Sequence, residues 1–166
     1  MVKKEVGFTV VEIVVALAIV ALLVAMVTPT MRSSINEHRA LAMVSALKAD
    51  LEFARNHAIS TNQLVKFKVD DAKKSVCNWQ VGAWNPIDSI FITNAAALRV
   101  MDNTQLGNYS GVSCVFTFTN GKPPLLNGLG INTSGSSFSA LITAEATLRK
   151  WRLTLQTSGN LKVVAE

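Results

Sequence analysis

The sequence is poor in the side chains that most enzymes use for chemistry. It has two histidines, His38 and His57, and two cysteines, Cys77 and Cys114, in 166 residues. The histidines stand nineteen residues apart on one segment that reads as helix, so they cannot share a metal ion. Each reads as a surface or interface residue. Two cysteines without clustered histidines make no metal site. No serine sits in a Gly-x-Ser-x-Gly setting, no glycine-rich loop could cradle a phosphate, and no paired-cysteine motif occurs. Nothing repeats with a period of about 20–50 residues, which excludes a solenoid. These absences argue against an enzyme and call for no metal and no cofactor.

Charge is the next scarcity, and it is local. After a short basic leader, residues 1–7, an apolar run covers residues 8–31 with one interior charge, Glu12. Such a run makes roughly 36 Å of helix at about 1.5 Å per residue, enough to cross a bilayer core of about 30 Å. A carboxylate in that segment costs about 2.5–3.5 kcal/mol near the membrane centre and less near its edge. A plain anchor has no reason to keep it, whereas a subunit that leaves the bilayer for a partner does. An ordinary secretory signal would instead place small residues after the apolar run, with no acid at its start.

Gly7 followed by Phe8, Thr9 and Glu12, with Pro29 further on, resembles the class III signal of type IV prepilins and type II secretion pseudopilins. The resemblance implies cleavage between Gly7 and Phe8 by an inner-membrane prepilin peptidase, which also methylates the new amine. It implies that Glu12 pairs with the N-terminal amine of a neighbouring subunit during assembly. The physics agrees, because an unpaired buried carboxylate and an unpaired ammonium are each costly and pairing relieves both. Pro29 matches a helix-bending proline of the family.

Beyond the membrane segment the domain is long enough for one core, at roughly 135 residues. The formal net charge of +5 falls to +4 without the leader, a mild surplus compatible with polyanion binding and equally with plain solubility. Lys3 and Lys4 keep the leader cytoplasmic and send the remainder into an oxidising periplasm. There Cys77 and Cys114 read as one disulfide, with two separately buried thiols as the alternative.

Past Met31 the apolar residues Val44, Leu47, Leu51, Ala54 and Ala58 recur at helical spacing. One helix is therefore expected from Phe8 to near Ser60, bent at Pro29 because that ring removes a backbone donor. Thr61 and Asn62 end it. Strands are expected at 64–69, 76–81, 90–92, 112–119, 148–157 and 161–165, with a polar turn at 70–74 and a loop-rich stretch at 123–135. The fold class is α+β: a long helix packed against an antiparallel β-sheet head. The organisation is a leader (1–7), a transmembrane and filament-core helix (8–31), its amphipathic continuation (32–60) and a periplasmic head (61–166).

Residues 54–65, the Phe116 to Gly121 strand end and the closing hairpin resemble the minor pilin and H-type pseudopilin group (FimU, FimT and GspH). That resemblance implies a pilin fold and a non-catalytic subunit at the tip or initiating complex of a type IV pilus or type II secretion pseudopilus. Its partners would be other pilins or pseudopilins, the prepilin peptidase and the inner membrane. One departure is His57, which stands where the group carries an acid.

DNA-uptake members of the group carry a C-terminal Gly-Arg-x-Arg segment. The matching residues here are Gly159, Asn160, Leu161 and Lys162, so both arginines are replaced. Alternation places Lys150 and Arg152 on one strand face, and a loop at 158–160 would pair Leu155 with Val163 and Gln156 with Lys162. Lys150, Arg152 and Lys162 would then form a strip able to touch the phosphates of double-stranded DNA. Lysine lacks the planar fork that pairs with phosphate, and edge lysines also guard a hairpin against aggregation.

Overall fold

The computed structural model describes residues 8–69, 77–92, 99–101 and 107–166. Gly7, the expected turn at 70–74 and the first residue of the expected 76–81 strand lie outside the described residues. The chain divides into two compact units, Met1–Ile35 and Asn36–Glu166.

The first unit holds the early turns of helix α1, which spans Val10–Thr61 and includes Pro29. Every described side chain from 8 to 26 is exposed, and the most apolar 18-residue window has a mean hydropathy of 3.1. Helix of this length and composition can cross a bilayer.

The second unit begins where α1 becomes amphipathic. Val44, Leu47, Leu51, Ala54 and Ala58 are all buried, joined by Ala40 and Met43. This is the predicted stripe extended by one turn, and truncating a fully buried member such as Leu51 to alanine costs about 2–5 kcal/mol. The helix ends where Asn62 takes a left-handed φ of 53°. Asparagine tolerates that conformation better than most residues with a side chain.

The expected antiparallel head is built of two sheets. The first contains β1 (Val65–Val69), β2 (Trp79–Asn85), β3 (Ile90–Phe91), β4 (Arg99–Met101) and β6 (Leu125–Leu126), with β1 and β2 at its centre. The second runs β5 (Val112–Phe118), β7 (Phe138–Ala144), β8 (Lys150–Leu155), β9 (Leu161–Ala165). All described pairings are antiparallel. Strand β7 was not among the expected strands, yet it lies inside the second sheet between β5 and β8. Phe138, Ala140, Ile142 and Ala144 alternate inward at 0 % exposure. The two alanines made its apolar face weak as a sequence signal.

Aromatic rings join the sheets. Phe67 of the first sheet tilts against Phe138 of the second at 4.9 Å between centroids, and Trp79 meets Phe116 edge-on at 6.2 Å. The buried helix stripe belongs to this same core. The expected loop-rich stretch contains the two-residue strand β6, and buried Asn132 ties the turns that follow it. Its Oδ1 accepts from the Leu125 and Ser134 amides, each at 3.1 Å, and its Nδ2 donates to the Ser136 carbonyl at 2.7 Å.

Candidate assembly site

Glu12 is set by its own helix. The Thr9 amide and hydroxyl donate to its Oε2 at 3.3 and 3.4 Å, while the Glu12 amide donates to the Thr9 hydroxyl at 3.3 Å. This reciprocal arrangement is a capping box, which satisfies donors that a helix start otherwise leaves free. The Thr-x-x-Glu spacing was readable in the sequence. Around the carboxylate, Phe8, Ile13, Ala16, Leu17 and Val20 line a shallow, almost wholly apolar groove. The site therefore offers one negative charge, held at a helix N-terminus where the backbone dipole favours it, in a surface otherwise fit for lipid or apolar helix. Pro29 lies within α1, and its side chain is outside the described residues.

Cys77, just before β2, is bonded to Cys114 of β5, with Cα atoms 5.0 Å apart. Both cysteines are buried, and the bond crosses from the first sheet to the second.

The C-terminal hairpin differs from its expected register. Leu155 faces Leu161 and Thr154 faces Lys162, two residues away from the pairing anticipated. The turn keeps three residues but lies one residue earlier, at 157–159: the Gly159 amide donates to the Gln156 carbonyl at 3.0 Å, and Gln156 N–H to the Asn160 carbonyl at 2.9 Å. A shift of two keeps every side chain on its face. Lys150, Arg152 and Lys162 consequently do share the outward face. Arg152 is not free, however, because its Nε and Nη2 donate to the two carboxylate oxygens of Glu166 at 2.5 and 3.1 Å. That bond holds the Glu166 carboxyl below the usual range and raises the guanidinium. Val115, Leu141 and Val164 lie in the same cross-strand row as Arg152, so the strip is mixed rather than basic.

Gly159 has a packing role independent of any ligand. Its φ is 79°, and a side chain there would place Cβ 2.0 Å from the Gly130 carbonyl oxygen. No substituted residue fits without moving that loop.

His38 is exposed on the helix, and His57 stacks on Phe53 at 5.5 Å. No group of three metal-ligating side chains occurs among the described residues. Asp50 carries polar contacts that sequence reasoning missed. It accepts the Trp79 indole N–H at 2.9 Å and an Arg99 N–H at 3.0 Å, tying the helix to β2 and β4.

Residues 44–159 match the family model described as Type II transport protein GspH. No curated protein matches the chain by sequence. Among solved structures, the type IV minor pilin FimU of Pseudomonas aeruginosa superimposes with a TM-score of 0.60 at 14% identity, covering 78% of this chain and 94% of that one. The minor pseudopilin EpsH from the type 2 secretion system of Vibrio cholerae does so at 0.52 with 16% identity, covering 75% and 94%. At such identities the likenesses speak to fold, and the family model, spanning well over half the chain, speaks to kinship. The chain belongs to the GspH family of minor pilins and pseudopilins.

Proposed function

We propose that this chain is a non-catalytic minor subunit at the tip or in the initiating complex of a type IV pilus or a type II secretion pseudopilus. Residues 1–7 are removed by the prepilin peptidase and the Phe8 amine is methylated. Residues 8–31 sit first in the inner membrane and then in the filament core, with 32–60 continuing the helix and 61–166 forming a periplasmic head. The supporting observation is the contrast along α1. Its early turns expose apolar side chains throughout, while its later turns bury one stripe in the head. A surface that apolar marks an interaction site or a membrane segment. Exchanging lipid tails for packed helices costs little hydrophobic energy, so the same segment suits both states. Glu12 then supplies the direction, by seeking the amine of a neighbouring subunit.

The DNA-uptake reading draws on the shared outward face of Lys150, Arg152 and Lys162. Arg152's bond to Glu166 weakens it, since a phosphate would have to displace a carboxylate already in place.

Intact-mass analysis of membrane-extracted protein tests the main reading. The expected N-terminus is N-methylated Phe8 in a host with the peptidase and Met1 in a host without it. Met1 retained in a peptidase-competent host would overturn it. Deleting the gene and scoring both piliation and secretion then assigns the machine.

A further inference from the structure

The outward face of the first sheet carries a second candidate site. Alternation along β1 turns Val65, Phe67 and Val69 into the core and leaves Lys66 and Lys68 on the other side. On β2, Gln80, Gly82 and Trp84 share that outer face, with Gly82 opposite Lys66 and Gln80 opposite Lys68. Because Gly82 has no side chain, Lys66 can lean across it, and its Nζ lies 3.5 Å from the centroid of the Trp84 ring. Trp84 is in turn held edge-on by Phe91 at 5.3 Å. Phe118 and Pro123 close the other side, and the whole forms a cleft of about 360 Å³ that also touches Ser89.

Several other cations of the head already face a carboxylate, whereas this cleft brings two lysines together beside apolar walls. Lys48 faces Glu52 at 3.7 Å, Arg99 faces Asp50 at 3.0 Å, Arg149 faces Glu37 at 3.2 Å, and Arg152 is held by Glu166. Among the described residues no carboxylate pairs with Lys66 or Lys68. Asp88, next to Ser89, accepts instead from the Asn85 side chain at 2.6 Å. Burial of Lys66 and then the nearby Lys68 charge lower the Lys66 pKa. A ring face attracts a cation but leaves its outward N–H donors available. Two adjacent donors of like charge above apolar walls suit a carboxylate that carries an apolar group beside it. They suit a stacking base poorly, since the Trp84 ring already has Lys66 over it and Phe91 at its edge.

We propose that the Lys66–Lys68–Trp84 cleft docks an acidic segment of a neighbouring subunit, with an Asp or Glu carboxylate on the two ammonium groups and an adjacent apolar side chain against Trp84, Phe118 and Pro123. The inference rests on the subunit reading above, and it adds a contact in the head to the one made by the helix. Charge complementarity would set which neighbour is accepted, because a like-charged partner is repelled there.

The test is zero-length carbodiimide coupling of assembled filaments from the native host, which joins a lysine only to a carboxylate in contact with it. Peptide mapping should recover Lys66 or Lys68 bonded to an Asp or Glu of another pilin subunit. The Lys66→Gln, Lys68→Gln double variant should be processed normally yet recovered in filaments at least tenfold less, and Lys66→Arg, Lys68→Arg should restore recovery. A link from these lysines to Asp70 or Asp71 of the same chain would overturn the proposal, as would normal assembly of the glutamine variant. A 5-fluorotryptophan resonance of Trp84 that moves with single-stranded oligonucleotide or anionic vesicles, but not with an acidic-aromatic peptide, would overturn it too. Normal removal of residues 1–7 in every variant keeps failure here separate from failure of the subunit assignment.

Discussion

Asp50 on the helix and Trp79 on β2 are joined by a 2.9 Å hydrogen bond from the indole N–H to the carboxylate. Trp79 is fully buried and has one donor, while Asp50 also receives Arg99, whose guanidinium stacks over Phe53 at 4.1 Å. One carboxylate thus completes the polar inventory of the largest fully buried side chain. Asp50→Ala would strand the indole N–H in the core, at a cost of about 1–3 kcal/mol. Asp50→Asn keeps an acceptor and should lose less. Chemical denaturation of the full chain in detergent, followed by tryptophan emission, orders the three proteins; equal stability of all three would show the bond to be dispensable.

The disulfide closes a loop between Cys77 and Cys114, a separation of 37 residues. Cross-linking that span stabilises by roughly 3–4 kcal/mol in the chain-entropy model. The Cys77→Ser, Cys114→Ser double variant should unfold at correspondingly lower denaturant. Non-reducing peptide mapping of wild type should recover the two segments linked, and free reaction of both thiols with maleimide would contradict this.

Glu12 serves as helix cap and as the lone charge of its segment, and substitution separates the two. Glu12→Gln retains a capping-box acceptor but no charge, whereas Glu12→Ala loses both. If the charge drives assembly, both variants should be processed, remain in the membrane and enter filaments poorly. Normal incorporation of Glu12→Gln alongside failure of Glu12→Ala would assign the residue to helix capping instead.

Reversing Lys150, Arg152 and Lys162 to glutamate tests the DNA reading. Three phosphate contacts would give a log–log salt slope of only about −2.7. The expected result is no gel shift of double-stranded DNA by wild type even at low salt, and unchanged assembly of the reversed variant. A salt-sensitive shift lost on reversal would favour DNA uptake.

The Arg152–Glu166 bond should also respond to pH. The Glu166 carboxyl is held below its ordinary pKa by the Arg152 hydrogen bond. The link's contribution is therefore present above the ordinary carboxylate range and is lost as pH falls through the depressed value. After correction for intrinsic rates, amide exchange near the end of β9 should quicken over that acidic window in wild type and not in Glu166→Gln.

Local pattern determined much of this protein. The apolar run with its single acid, the buried stripe from Val44 to Ala58, the helix end at Asn62 and the outward face of the C-terminal hairpin all follow from side-chain period and backbone preference. Those are properties of neighbouring residues, so they are visible in a string. Tertiary structure decided what depends on distant pairing. Only strand order makes β7 an interior strand and brings Trp79 and Arg99 to Asp50, whereas the Cys77–Cys114 pair was already legible from two cysteines in an oxidising compartment. The turn geometry at Gly159 set the hairpin register, and that register, with the side chain of Glu166, committed Arg152 to an internal partner. A lone arginine and a paired one read identically in sequence, because a charge is spent or left free by whatever the fold places beside it. Lys66 and Lys68 show the converse: alternation puts them outward, but their cleft exists only because Gly82 lies opposite and Trp84 stands next to it.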